Sequence, residues 1–167
     1  GDAPWATIVV GTPVDRIAED VQRIAAVSRP GTLITDVGSV KGSICEAIQS
    51  AGLPNGVSFV GAHPLAGSHE TGFEAARANL FDGKVTVVTT NPAGDESAIS
   101  AIRTFWKQLG SRVIEMSSTE HDAALATTSH LPHVAASALA ATLPEAFQQL
   151  AASGFRDTTR VAAGDPD

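Results

Sequence analysis

Apolar and polar positions along the chain switch repeatedly between two periods. Residues 6–10 (ATIVV) form an apolar, partly β-branched run, the pattern of a strand buried on both faces. Gly11-Thr12-Pro13 follows; Thr12 can cap a helix and Pro13 suits its first position. Val14, Ile17, Val21, Ile24 and Ala25 then recur at helical spacing and stop before Pro30-Gly31. The unit repeats. Residues 32–37 (TLITDV) predict a strand, Gly38-Ser39 a turn, and Val40, Ile44 and Ile48 a helix ending near Gly52-Leu53-Pro54. A third strand is predicted at 57–61, a loop from Ala62 to Thr71, and a short helical stretch to about Leu80. A fourth strand covers 84–90, Ile99, Ile102, Phe105, Trp106 and Leu109 line a helix closed by Gly110, and 112–116 make a fifth strand.

This alternation predicts an α/β chain with right-handed crossovers: a partial Rossmann-like, mainly parallel sheet followed by an all-α segment. Such sheets bind ligands outside the carboxyl ends of their strands. Gly11 to Pro13, Asp36 to Lys41 and Ala62 to Ser68 all fall on that edge. After Met116 the pattern changes. Ser118 and Thr119 offer caps, and a helical stretch runs from about Glu120 toward Leu150, kinked at Pro132 and interrupted near Pro144. A domain boundary is expected near 116–119, dividing the chain into 1–117 and 118–167. Ala123 to Pro144 holds no Asp, Glu, Lys or Arg and is long enough to span a bilayer. Its histidines, its proline and its weakly apolar alanines instead predict a buried helix of a non-membrane protein, covered by a partner subunit. No G-x-G-x-x-G turn is present, and the chain starts on a strand and stops at Gly164 to Asp167 without a closing element, so it reads like the middle of a longer protein.

Composition narrows the partners. The 167 residues are 43% hydrophobic, enough for one domain, or for one domain and part of a second. Eighteen acidic against 11 basic residues give a formal charge of −7, which argues against a nucleic-acid or anionic-membrane surface. One cysteine excludes an internal disulfide framework and a multi-cysteine zinc ribbon, and fits a reducing, cytoplasmic setting. The opening GDAPWATIVV has no basic stretch of the secretory-signal kind.

Several residues can carry chemistry. His63 sits among small residues in GAHPLAG, and a neutral imidazole there can accept a proton; it can equally hydrogen-bond within a loop. Asp36-Val37-Gly38-Ser39-Val40-Lys41 is a strand end and helix start, where Ser39 is a plausible N-cap and free amides favour an anion or a polar cofactor edge; ordinary capping with a solvated Lys41 is the plainer reading. Ser129-His130-Leu131-Pro132-His133 places two histidines on roughly one side of the uncharged helix. His63, His69, His121, Asp122, His130 and His133 are possible metal ligands, but their spacing matches no strong zinc motif and no metal is assigned. Arg160 can bind a carboxylate through both guanidinium nitrogens or form a surface ion pair. Cys45 reads as a small apolar helix residue, and His121-Asp122 as capping and surface electrostatics.

Gly11 to Ile17, DVGSVKGSI at 36–44, GAHPLAGSHETG at 61–72, AARANLFDGK at 75–84, GSRVIEMSSTEHD at 110–122, SHLPHVAASAL at 129–139 and FRDTTRVAAGDP at 155–166 together resemble the prephenate/arogenate dehydrogenases, in the family's order over nearly the whole chain. The resemblance implies oxidative decarboxylation of prephenate or arogenate in tyrosine biosynthesis, giving 4-hydroxyphenylpyruvate or tyrosine, with NAD or NADP as hydride acceptor. It implies a dinucleotide-binding first part, and a helical part that binds substrate and forms a homodimer. By position, His63 matches the histidine that takes the substrate hydroxyl proton, and Ser39 a serine bridging hydroxyl and nicotinamide. Ser129 and His133 match residues lining the substrate pocket, and Arg160 the arginine on a substrate carboxylate. Thr12, Pro13, Asp36 and Gly38 fall in segments that touch the cofactor, and Asp157 matches a nearby acid of open role. Where several members carry Glu two places after Gly67, this chain has His69 followed by Glu70. The alternatives are a catalytically incomplete module that dimerises or binds an aromatic ligand, and a histidine-ligated metallohydrolase.

Overall fold

The computed structural model describes residues 6–67, 72–91 and 94–163. Ser68, His69, Glu70, Thr71 and the Gly164 to Asp167 end, all named above, lie outside them. The chain forms two units, one running through Asp122 and the other starting at Ala123.

In the first unit, β1 (Ala6–Val10), β2 (Thr32–Asp36) and β3 (Ser58–Val60) pair side by side in parallel. β2 is central and buried at every position, which explains its uninterrupted apolar run. Its side chains alternate between faces. Ile34 joins Ile17, Val21 and Ala25 of α1 (Val14–Val27) and Ile44 and Ile48 of α2 (Gly42–Ala51). Leu33 joins Ala98, Ile99, Ile102 and Trp106 of α3 (Glu96–Gln108) on the other face.

One strand turned up where a loop was expected. Ala62–Pro64 is a short strand, β4, continuing β3 past Gly61 and pairing antiparallel with β5 (Val85–Thr89), which in turn pairs in parallel with β6 (Arg112–Met116). The segment thus hands over from β2 to β5 at Gly61, where a Cβ would come within 2.8 Å of Thr89 Oγ1 and 3.1 Å of Cys45 Sγ. The helical stretch expected before Leu80 is reduced to a single 3-10 turn, Phe73–Ala75, followed by turns.

Helix starts differ from the sequence reading. Pro13 occupies the cap position of α1, one residue later than expected, and Thr12 makes no capping bond. α2 begins at Gly42, not after Ser39. α4 (Ser118–Leu125) is opened by Ser117, whose Oγ accepts from Glu120 N at 3.2 Å while the Glu120 carboxylate accepts from Ser117 N at 2.9 Å, a reciprocal capping box.

In the second unit, a π-helical turn at Ala126–His130 precedes α5 (Leu131–Ala141). Pro132 has no N–H to give and its ring crowds the carbonyl a turn earlier, so the wider turn takes the place of the expected kink. The helix stops at Ala141 rather than near Leu150, and Glu145–Leu150 after Pro144 is a 3-10 turn. α6 (Ser153–Thr159) and the 3-10 turn Arg160–Ala163 pack against α5. Within this chain Leu125 and Ala136 are the buried residues of the uncharged Ala123–Pro144 stretch, and Leu131 and Val134 are 60% and 65% exposed, the surface for which a partner's cover was expected. No helix among the described residues is long and apolar enough to cross a membrane.

Candidate active site

The carboxyl ends of β1 and β2 and the start of β4 meet at one rim. Val37 N donates to Val10 O at 3.2 Å, so the turn after β2 lies beside the turn after β1. Thr12, Pro13 and Ser39 are exposed on these turns, whereas Asp36 and Gly38 are buried beneath them.

Asp36 ties the rim together. Its Oδ2 accepts from Gly38 N at 2.9 Å and from the Lys41 ammonium, and its Oδ1 accepts from Ala62 N at 3.1 Å, next to His63. Both members of the Asp36–Lys41 pair are fully buried, so Lys41 is not the solvated residue that its place on a helix's first turn suggested. Such a pair persists away from water only when further hydrogen bonds satisfy it, and here two backbone amides do so. Gly38 is required by space: a Cβ there would stand 2.7 Å from Ile17 Cδ1 and 2.9 Å from Asp36 Oδ2.

His63 lies on β4, buried, with Nδ1 2.8 Å from Nε2 of His121 on α4 and the two rings edge to face at 71°. His121 is fully buried, and its Nδ1 is 2.7 Å from Asp122 Oδ1. Asp122 also accepts from Lys41 N at 2.9 Å and from Gly42 N at 2.8 Å. It therefore caps α2, eighty residues away in sequence, in the role expected of Ser39. Burial pushes the Asp122 carboxyl up, and the bonds from Lys41 N, the His121 ring and Gly42 N more than offset this, holding it below the ordinary carboxylate range. The sequence reading assigned His121-Asp122 to local capping and surface charge. The available signal was the capping box at Ser117–Glu120, which puts both residues on the first turn of α4 directly after β6.

Cys45 on α2 lies 3.8 Å from Thr89 Oγ1, and burial pushes its thiol up. Beside it a cavity of about 620 Å³ opens along the outer edge of β3, lined among others by Glu46, Phe59, Thr90, Asp95 and Ser117. Among the described residues no group of three or more His, Cys, Asp and Glu is arranged to hold a metal ion.

Ser129, His133 and Arg160 belong to the second unit. His133 lies on α5, its Nδ1 2.8 Å from the Ser129 carbonyl oxygen, and Arg160 is exposed and opens the turn that packs on that helix. Asp157 is exposed on α6.

The parallel sheet with helices on both faces places the first unit in the Rossmann-like α/β class. The match to known proteins is closer than a fold. Residues 3–115 match the model of the prephenate dehydrogenase nucleotide-binding domain, and 117–167 that of the prephenate dehydrogenase dimerization domain. The chain belongs to the prephenate dehydrogenase family. It is 34% identical to the prephenate dehydrogenase of Bacillus subtilis over 96% of its own length and 45% of that protein. The solved prephenate dehydrogenase of A. aeolicus, in complex with hydroxyphenyl propionate and NAD+, superposes with a TM-score of 0.85 at 31% identity, over 96% of this chain and 57% of that one. Synechocystis arogenate dehydrogenase gives 0.81 at 33% identity, over 96% and 59%. The chain thus spans about half the length of these relatives.

Proposed function

We propose that the protein to which this chain belongs is a cytoplasmic, NAD- or NADP-dependent dehydrogenase that oxidatively decarboxylates prephenate or arogenate. Residues 1–117 would serve the cofactor, and 118–167 the substrate and a homodimer contact. One observation carries the reading: a buried histidine, linked through a second histidine to a carboxylate, stands beside the exposed turns at the sheet's ligand-binding rim. The exposed Thr12, Pro13 and Ser39 leave the surface of both turns open to a cofactor or substrate.

When bound, NAD+ or NADP+ supplies the acceptor for the hydride leaving the hydroxyl-bearing ring carbon. Loss of hydride makes that hydroxyl strongly acidic, and His63 takes its proton. The electron pair of the bond to the ring carboxylate then enters the ring, CO₂ leaves, and the ring becomes aromatic as its oxygen regains a proton. Ser39, on the exposed turn, orients the hydroxyl and the edge of the cofactor. Thr12 and Pro13 contact the cofactor from the neighbouring turn. Asp36 and Gly38 act from below by shaping both turns. A dianionic substrate calls for a guanidinium, the part given to Arg160, with Ser129 and His133 lining the pocket.

The family model named for dimerization and the exposed Leu131 and Val134 support a homodimer through the second unit. Full-length protein mixed with either acid and either dinucleotide should produce reduced-nicotinamide absorbance. Binding of tyrosine in a calorimeter, with no binding of either dinucleotide, would instead favour a ligand-binding module without catalysis.

A further inference from the structure

We propose that Asp36 is a positioning residue for His63: its carboxylate fixes the spacing between His63 and the Ser39 turn, from beneath both and without touching substrate or cofactor. This deepens the assignment of His63 as base and rests on it.

The sheet forks beside His63. β2 and β3 pair through Leu33, Ile34 and Thr35 with Ser58, Phe59 and Val60, and there the ladder ends. After Gly61 the chain pairs with β5 instead, with His63 opposite Val87. Among the described residues, the end of β2, which leads into the Ser39 turn, and β4, which carries His63, therefore share no strand pairing. The Asp36 carboxylate spans this gap. Its Oδ1 accepts from Ala62 N at 3.1 Å, at the residue before His63. Its Oδ2 accepts from Gly38 N at 2.9 Å, at the residue before Ser39. The two oxygens of one planar group thus set the spacing of two backbone segments. The group is held in place, because the fully buried Lys41 ammonium also donates to Oδ2 and Asp36 has no exposed surface. A carboxamide cannot do the same. It offers one acceptor oxygen, and its nitrogen would face either Ala62 N–H or Gly38 N–H, donor against donor. Proton transfer depends steeply on placement, and a shift of about 1 Å can cost about 10²-fold in rate.

The test uses full-length protein, saturating dinucleotide and whichever of prephenate and arogenate the wild type turns over. Asp36→Asn alone strands a buried Lys41 cation, so it is combined with Lys41→Met, which removes the ion pair as a whole and leaves no unpaired charge. The expected result is a folded protein whose kcat is lower by about 10²-fold. Its dinucleotide dissociation constant, measured by calorimetry without substrate, should stay within about threefold of the wild type, since Asp36 lies beneath the turns. A kcat within about threefold of the wild type overturns the proposal. So does a dinucleotide affinity that falls as far as kcat, which would place the pair in cofactor binding. The same two substitutions are then made in His63→Asn. If they act through His63, they should lower its residual kcat by no more than about threefold; a loss as large as in the wild-type background, the factors multiplying, overturns the proposal. A His63→Asn enzyme that turns over like the wild type removes His63 as the base, and is seen before Asp36 is changed, so the two failures are told apart.

Discussion

At the scale of single residues, the buried Asp36–Lys41 pair decides how much of the rim survives mutation. Lys41→Met keeps much of the side-chain volume but leaves a buried carboxylate with only backbone donors. Breaking a buried pair from one side typically costs about 3–5 kcal/mol, so denaturant unfolding of the variant should show a loss in that range. A loss below about 1 kcal/mol would mean that the pair is open to water. The position of His63 at the rim was legible in sequence from the strand that ends just before it. His121 and Asp122 were not, because their partners lie on β4 and at the start of α2, a pairing that only the tertiary fold creates. Lys41 was misread for the same reason: helix-start position says nothing about a carboxylate five residues earlier turning back beneath it.

Among the elements, the α1–β2–α2 packing limits what Gly38 can become. A methyl group there meets Asp36 Oδ2, which is held by two donors and cannot retreat, and the ends of Ile17 and Ile44. Gly38→Ala should therefore destabilise by about 1–3 kcal/mol, the usual range for overpacking, readable as a shift in the denaturation midpoint at unchanged slope. An unchanged midpoint would show that the turn has room. The main strands and α1, α2 and α3 were readable because each buries a continuous run or a helical stripe. β4 was hidden because three residues are too few to show a period, and its pairing with β5 depends on where the chain leaves β2. The π-helical turn before Pro132 was foreseen only as a kink, since proline marks a disturbed helix without saying how the freed carbonyl is accommodated.

For the whole molecule, an uncharged helix with Leu131 and Val134 facing outward is consistent with a covered surface in the assembled protein. If that cover is a second copy, the double substitution Leu131→Asp with Val134→Asp should convert a dimer into monomers in sedimentation at micromolar concentration; a wild type that is already monomeric would remove the homodimer from the account. The central claim remains the role of His63, and the most direct measurement is turnover of full-length wild type and His63→Asn, followed by reduced-nicotinamide absorbance with saturating dinucleotide and prephenate or arogenate. Loss of the proton acceptor should lower kcat by about two orders of magnitude or more in a variant that still folds. Turnover in His63→Asn close to that of the wild type would contradict the account.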